Sequence, residues 1–259
     1  AILKYAASAG IDTLDTAMAY GDCEQVLGNI GVEGFNLVTK LPEIPECRTD
    51  IEDWVIKSVE DSVSRLGVES LYGLLLHRPS QLFEPKGITI LSAIRSLKES
   101  GIVKKLGVSV SAPNELTALF DMYDFDVVQC PFNLVDRRLI NSGWLRKLST
   151  AGVEIHTRSS FLQGLLLMPR NSIPSKFKAW NILWDDWDTW LHDNKISPIN
   201  ACLSYVLSFS EIDKVVVGVD TPSQLIEIIG AATGATINSY PDINSDIVDL
   251  INPANWDIL

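Results

Sequence analysis

The sequence is poor in residues that staple or anchor a chain. It has four cysteines in 259 residues. Cys23, Cys47, Cys130 and Cys202 lie far apart, form no CxxC pair and stand in no Cys/His spacing that reads as zinc. They are expected to be reduced, mostly buried thiols of a cytoplasmic protein. With three histidines and no clustering, metal catalysis has no ligand set. No run approaches the roughly 18 apolar residues that span a bilayer, and no signal peptide is visible. Positive charge is scarce: 21 Lys and Arg face 33 Asp and Glu, a formal net charge of −12. That balance repels phosphate backbones and anionic headgroups and argues against nucleic-acid or polybasic membrane binding, while a local Lys or Arg can still hold a small anion. There is no GxGxxG, no internal repeat and no Pro/Gly/Ser linker.

What is present is a regular alternation. Hydrophobic residues make up 46% and charged residues 21%, a composition for one sizeable core rather than disorder. Helical spacing over residues 1–9 is stopped by Gly10. IDTLDTA then reads as a strand, 23–30 as a short helix and FNLVTKL (35–41) as a strand. An amphipathic helix runs from Asp50 to Leu66 and stops at Gly67. LYGLLLHRP (71–79) is a near-continuous apolar run of the kind buried on both faces in parallel sheets. Helices are expected at 87–100, 112–123, 137–152, 198–210 and 221–232, the last with a Thr-Pro start. Strands are expected at 104–110, 124–132, 153–161 and 214–220. Seven strand–helix pairs preceded by a helix call for a parallel sheet in a single domain, 1–259, and favour a (β/α)₈ TIM barrel over an open sheet. A closed barrel needs eight strands. The start at Ala1 inside a helix therefore predicts an N-terminally truncated barrel lacking its first strand.

The stretch 171–197 breaks the rhythm. Trp180, Trp184, Trp187 and Trp190 are spaced to share one helical face, either packed on the barrel or lining a substrate lid. His156 and His192 read as structural or surface histidines.

Reactive groups of a β/α barrel sit where strands end. Asp15 and Tyr20 follow the first strand, Lys40 the second and His77 the third. Each alone has a structural explanation: an N-cap, a rim aromatic, a solvated lysine, a turn residue. Together they make one device. A free tyrosine hydroxyl, with a pKa of about 10, is a poor acid at neutral pH. An ammonium beside it favours the phenolate. Lys40 can be that ammonium, Asp15 can hold Lys40 charged and aimed, and His77 can hydrogen-bond the oxygen that Tyr20 protonates. The device suits carbonyl reduction. No side chain supplies hydride, so a nicotinamide cofactor is implied.

These residues carry a resemblance. Asp15-Thr-Ala-Met-Ala-Tyr20-Gly, Val38-Thr-Lys40 and Leu75-Leu-His77-Arg-Pro are similar to the catalytic signature of the aldo-keto reductases, which are (β/α)₈ barrels. Matches continue through SLKESGIVKKLGVSVSAPNEL (96–116), DVVQCPFNLVDRR (126–138), SSFLQGLL (159–166) and VVVGVDTPSQLIE (215–227). The ensemble resembles bacterial members that accompany polysaccharide and sugar biosynthesis. The resemblance implies an NAD(P)-dependent oxidoreductase reducing an aldehyde, ketone or sugar carbonyl, with Asp15, Tyr20, Lys40 and His77 catalytic. It implies that Ser109 and Gln129 bind the nicotinamide carboxamide. Ser159, Phe161, Leu162 and Gly164 would wrap the pyrophosphate. Gly218, Val219, Asp220, Gln224 and Glu227 would hold the adenosine end.

Three departures accompany it. Arg158 stands where many members stack a tyrosine on the nicotinamide, and a guanidinium plane can stack too. Val110 replaces the Asn that commonly follows the serine at 109. Asp220, in place of basic residues, would repel a 2′-phosphate and could accept from ribose hydroxyls, which implies a weaker NADP preference than usual or use of NAD, so the cofactor is NADP or NAD. A non-catalytic cofactor-binding regulatory subunit is the alternative, and a cofactor-free barrel hydrolase or lyase lacks the carboxylate pair or metal cluster it needs. The expected partner is a small carbonyl substrate, with no nucleic acid and no membrane.

Overall fold

A computed structural model describes residues 1–234 and 237–258. They fall into two compact units: residues 1–110, 114–129 and 152–154 form unit 1, and residues 111–113, 130–151 and 155–259 form unit 2.

Unit 1 opens with α1 (Ile2–Ser8), β1 (Thr13–Asp15), α2 (Cys23–Ile30), β2 (Asn36–Leu41) and α3 (Ile51–Leu66). It continues with β3 (Leu71–Leu76), α4 (Gly87–Glu99), β4 (Val103–Ser109), α5 (Glu115–Met122) and the start of β5 (Val127–Pro131). The strands pair in parallel in sequence order, with Asp15 opposite Val38, Lys40 opposite Leu75 and Ser109 opposite Gln129. Parallel strands under covering helices are buried on both faces, and every residue of β3 and β5 is buried except Tyr72, which is half-buried. Val38, Leu75 and Val127 form a core cluster with Tyr72 packed against it. On α3 the buried residues Val55, Val59, Ser62 and Leu66 recur at helical spacing, and Gly67 ends the helix at φ +68°, a left-handed turn that glycine adopts without strain.

Unit 2 carries the end of β5, α6 (Arg138–Asn141), α7 (Trp144–Thr150), most of β6 (Glu154–Arg158), α8 (Asn181–Asn194), α9 (Pro198–Leu207), β7 (Lys214–Val215), α10 (Pro222–Ala232) and α11 (Val248–Ile251). β6 pairs in parallel with β7, and Leu203, Ile228 and Ala231 form a core cluster with Phe161, Ile199, Val215, Val217 and Val219 packed on it.

Four sequence expectations are corrected. The helix expected at 137–152 is two helices, because Gly143 at φ +77° interrupts it. The helix expected from 112 begins at Glu115. The strand expected at 214–220 is only Lys214–Val215; Val216 adds one bond, its N–H donating to the Thr157 carbonyl at 2.7 Å, and Val217 and Val219 pack on the helices instead. Trp180 precedes α8 rather than lying within it. The stripe itself packs inward: Trp184 and Trp187 are buried and donate their indole N–H groups to the Phe177 and Leu166 carbonyls at 3.0 and 3.2 Å. No helix among the described residues is long and apolar enough to cross a membrane.

Candidate active site

The site in unit 1 begins with main-chain pairing. Beyond β1, Thr16 N–H donates to the Val38 carbonyl at 2.8 Å and Met18 N–H to the Lys40 carbonyl at 3.2 Å. The segment after β1 is thus tied to β2 at the level of Lys40. Gly21, at φ +59°, then turns the chain into α2, and Cys23 N–H caps the turn by donating to the Tyr20 carbonyl at 3.1 Å. Tyr20 is left at the rim, half exposed. His77 follows β3, held by its N–H donating to the Leu41 carbonyl at 3.0 Å.

Lys40 is buried, with a side chain only 2% exposed. A buried ammonium is tolerated only with partners. Its Nζ donates to Asp15 Oδ1 at 2.5 Å and to the Thr16 carbonyl at 2.9 Å. The same Nζ lies 5.7 Å from the centre of the Tyr20 ring. The His77 ring meets the Tyr20 ring edge-on, centroids 6.0 Å apart. Asp15, Tyr20, Lys40 and His77 therefore come together: a carboxylate fixing an ammonium, with a phenol and an imidazole beside it.

Gln129 joins the set. Its Nε2 donates to Asp15 Oδ2 at 2.7 Å, and its Oε1 accepts from Ser109 Oγ at 3.4 Å. Strands stand about 4.8 Å apart, so in a flat sheet β1 and β5 would be about 19 Å apart with β2, β3 and β4 between them. The side-chain bond requires the sheet of unit 1 to curl until β1 and β5 face each other across its concave side.

Unit 2 holds the remaining residues singled out from the sequence. After β6 the chain enters a tight loop in which Ser159, Leu162 and Gln163 have φ of +65°, +47° and +52°, followed by Gly164 at +84°. Non-glycine residues there cost of order 1–3 kcal/mol each and persist only where the surroundings enforce them. Enforcement is visible. Asn133, fully buried, donates from Nδ2 to the Ser159 carbonyl at 3.0 Å, and Leu162 N–H donates to that carbonyl at 2.9 Å. Leu162, Leu165 and Leu166 are buried. Arg158, half-buried, donates from Nη1 to Ser159 Oγ at 3.3 Å.

A pocket of about 310 Å³ in unit 2 is lined by Phe161, Ser197, Gly218, Asp220, Gln224 and Glu227 among others, at the small end of the usual range for ligand sites, about 300–1,000 Å³. It adjoins the start of α10, where Thr221 and Gln224 form a reciprocal capping box. Gln224 Oε1 accepts from the N–H groups of Asp220 and Thr221 at 2.8 and 3.2 Å, which fixes the Gly218–Thr221 turn. The other residues expected at the adenosine end, Gly218, Val219, Asp220 and Glu227, lie on this turn and on the first turns of α10.

Sequence reading missed three contributors. Thr16 and Ser197 act through a main-chain carbonyl and a pocket wall, which leave no signature. Asn133 stands in a matched stretch but gained no role there. Among the described residues no group of three or more His, Cys, Asp or Glu is placed to hold a metal.

Unit 1 thus places a buried lysine, held by a partly buried aspartate, beside a half-exposed tyrosine on a parallel α/β fold. The model of the aldo/keto reductase family matches residues 1–244; the chain belongs to that family. It is 34% identical over 126 residues to an uncharacterized oxidoreductase of Bacillus subtilis, covering 42% of this chain and 41% of that protein. It is 32% identical over 135 residues to the 6-dehydroglucose reductase of Novosphingobium aromaticivorans, covering 46% of this chain and 43% of that one. The matched stretches thus span less than half of these curated relatives. Among solved structures, the holo form of an aldo-keto reductase from Bacillus halodurans superposes with a TM-score of 0.74 at 21% identity, covering 92% of this chain and 82% of that one, which shows a shared fold.

Proposed function

We propose that the protein is an NAD(P)-dependent oxidoreductase that reduces an aldehyde, ketone or sugar carbonyl, with Tyr20 as proton donor on a (β/α)₈-type barrel. One observation carries this reading: a buried lysine, fixed by Asp15 and by the Thr16 carbonyl, stands beside the half-exposed ring of Tyr20.

The nicotinamide supplies hydride when bound. The residues of unit 2 fit such a group. In the loop 159–164, Ser159, Leu162, Gln163 and Gly164 all have positive φ. Thr157 Oγ1 and Ser160 Oγ are buried at its start with no hydrogen-bond partner, an expense that an incoming polar ligand relieves. Ser159, Phe161, Leu162 and Gly164 would hold the pyrophosphate, with Arg158 stacking or contacting an anionic group. Gly218, Val219, Asp220, Gln224 and Glu227 would hold the adenosine end. Among the described residues two carboxylates, Asp220 and Glu227, line that pocket and no Lys or Arg does, so the form without a 2′-phosphate is expected to bind better. Ser109 and Gln129 in unit 1 would take the carboxamide.

The chain's own part of the reaction follows from the geometry. The Tyr20 hydroxyl gives its proton to the carbonyl oxygen. The Lys40 ammonium stabilises the phenolate left behind, and Asp15 keeps that ammonium charged and aimed. His77 offers a second polar contact to the same oxygen. A positioned general acid contributes about 10²–10⁴-fold. The substrate class extends to sugar carbonyls on the strength of one relative's name, 6-dehydroglucose reductase. The test is Tyr20→Phe: turnover of an aldehyde panel should fall at least 100-fold while nucleotide affinity, read by fluorescence titration, stays within threefold. Undiminished turnover would remove the proton-donor role.

A further inference from the structure

Gln129 is 1% exposed and sits on β5, opposite Ser109 of β4. Its amide faces two ways. A carboxylate can only accept, so the edge turned to Asp15 must be the N–H edge; Nε2 lies 2.7 Å from Asp15 Oδ2. The amide oxygen is thereby turned to the opposite side, where Ser109 Oγ donates to it at 3.4 Å. Asp15 in turn divides its oxygens, Oδ1 to Lys40 and Oδ2 to Gln129. The line Ser109–Gln129–Asp15–Lys40 is continuous and crosses the concave side of the unit 1 sheet.

We propose that Gln129 is a positioning residue that locks Asp15 against Lys40, and that Asp15 reciprocally fixes which face of the Gln129 amide is offered to a bound ligand. Resting on the oxidoreductase reading above, this couples nucleotide occupancy to the acid set through one side chain: a ligand amide that engages Gln129 Oε1 pulls on the group that holds Asp15. The residue's effect then falls on the rate of the chemical step as well as on nucleotide affinity. A side chain serving only as a carboxamide contact would affect affinity alone.

Two variants separate these roles. Gln129→Met keeps the volume and removes the donor. Gln129→Glu sets a carboxyl against Asp15, and two carboxyls sharing one site retain a proton to higher pH than either alone. The other charged or titratable groups of the site are Lys40, Tyr20 and His77. The raised folded-state pKa of the Glu variant gives stability that is present at low pH and lost as pH rises through it. The gap in urea midpoint between Gln129→Glu and the parent should therefore be small at pH 5 and widen by pH 8. In an Asp15→Asn background that widening should shrink, since only burial of the Glu side chain is left to raise its pKa, and for Gln129→Met the gap should be flat with pH. A flat gap for Gln129→Glu, or a widening that Asp15→Asn leaves undiminished, overturns the proposal without any assay of turnover. In kinetics, Gln129→Met should lower kcat at least tenfold with the carbonyl KM within threefold, and Gln129→Glu should recover kcat relative to it as pH falls below about 6. A change confined to the nucleotide KM also overturns the proposal. If the parent protein turns over no carbonyl with either nucleotide, the oxidoreductase reading fails, and the pH dependence of stability still decides the Gln129–Asp15 link. Should Gln129→Glu not fold, the kcat and KM of Gln129→Met decide it.

Discussion

Replacing Glu24 with alanine should destabilise the protein by an amount that its surroundings allow to be worked out. Glu24 is 2% exposed. Its Oε1 accepts from Thr39 Oγ1 and Ser62 Oγ, both at 2.7 Å, and its Oε2 from Arg65 Nε and Nη2 at 2.9 and 2.6 Å. One carboxylate thus ties α2 to β2 and α3, and Thr39 is the residue before Lys40. Alanine leaves two fully buried hydroxyls without an acceptor, at about 1–3 kcal/mol each. The Arg65 side chain is 36% exposed and can return to water, so its loss adds little. The sum centres on about 4 kcal/mol, or about 1.3 M in urea midpoint at a slope of about 3 kcal/mol/M. Glu24→Gln keeps Oε1 for the hydroxyls but turns an amide donor toward the Arg65 donors, and should cost about half as much. The decisive comparison is the triple variant Glu24→Leu, Thr39→Val, Ser62→Ala. Replacing a whole buried polar network by apolar groups is often close to neutral, so the triple variant should recover most of the lost midpoint. Urea unfolding followed by tryptophan fluorescence reads all three. A triple variant less stable than Glu24→Ala alone would refute the reasoning.

Gly28→Ala should destabilise by more than about 2 kcal/mol in the same urea assay, because the added Cβ would lie 2.1 Å from the Arg65 carbonyl oxygen. Helix propensity alone predicts a gain of about 0.5–1 kcal/mol, so the sign decides between packing and propensity. If the pocket takes the adenosine end as proposed, NADH should bind at least tenfold more tightly than NADPH, because Asp220 and Glu227 line it with no Lys or Arg among the described residues; titrations of the two forms side by side would expose the opposite order.

The alternation of elements was legible because parallel strands such as β3 are apolar at nearly every position and because glycines such as Gly67 end helices where their backbone demands it. The grouping of Asp15, Tyr20, Lys40 and His77 was legible for a related reason: each lies at or near the end of one of three successive strands, so local reading sufficed to place them side by side. The Gln129–Asp15 bond was not legible. It joins residues 114 positions apart and depends on how far the sheet curls, which no local pattern encodes. β7 was overread because Val215, Val216, Val217 and Val219 have strand composition whether they pair in a ladder or pack on helices. Helix 137–152 was overread because a single glycine in a helical pattern does not declare its φ. The tryptophan stripe was legible in part: Trp184, Trp187 and Trp190 share α8 while Trp180 precedes it, and the burial of Trp184 and Trp187 assigns those two to packing.

Reduction of a simple aldehyde with nicotinamide nucleotide deuterated at its hydride position tests the central claim most directly. The account predicts alcohol carrying deuterium on the former carbonyl carbon, formed by the parent protein and at least 100-fold more slowly by Tyr20→Phe. Alcohol without that deuterium, or equal rates in the two proteins, would contradict it.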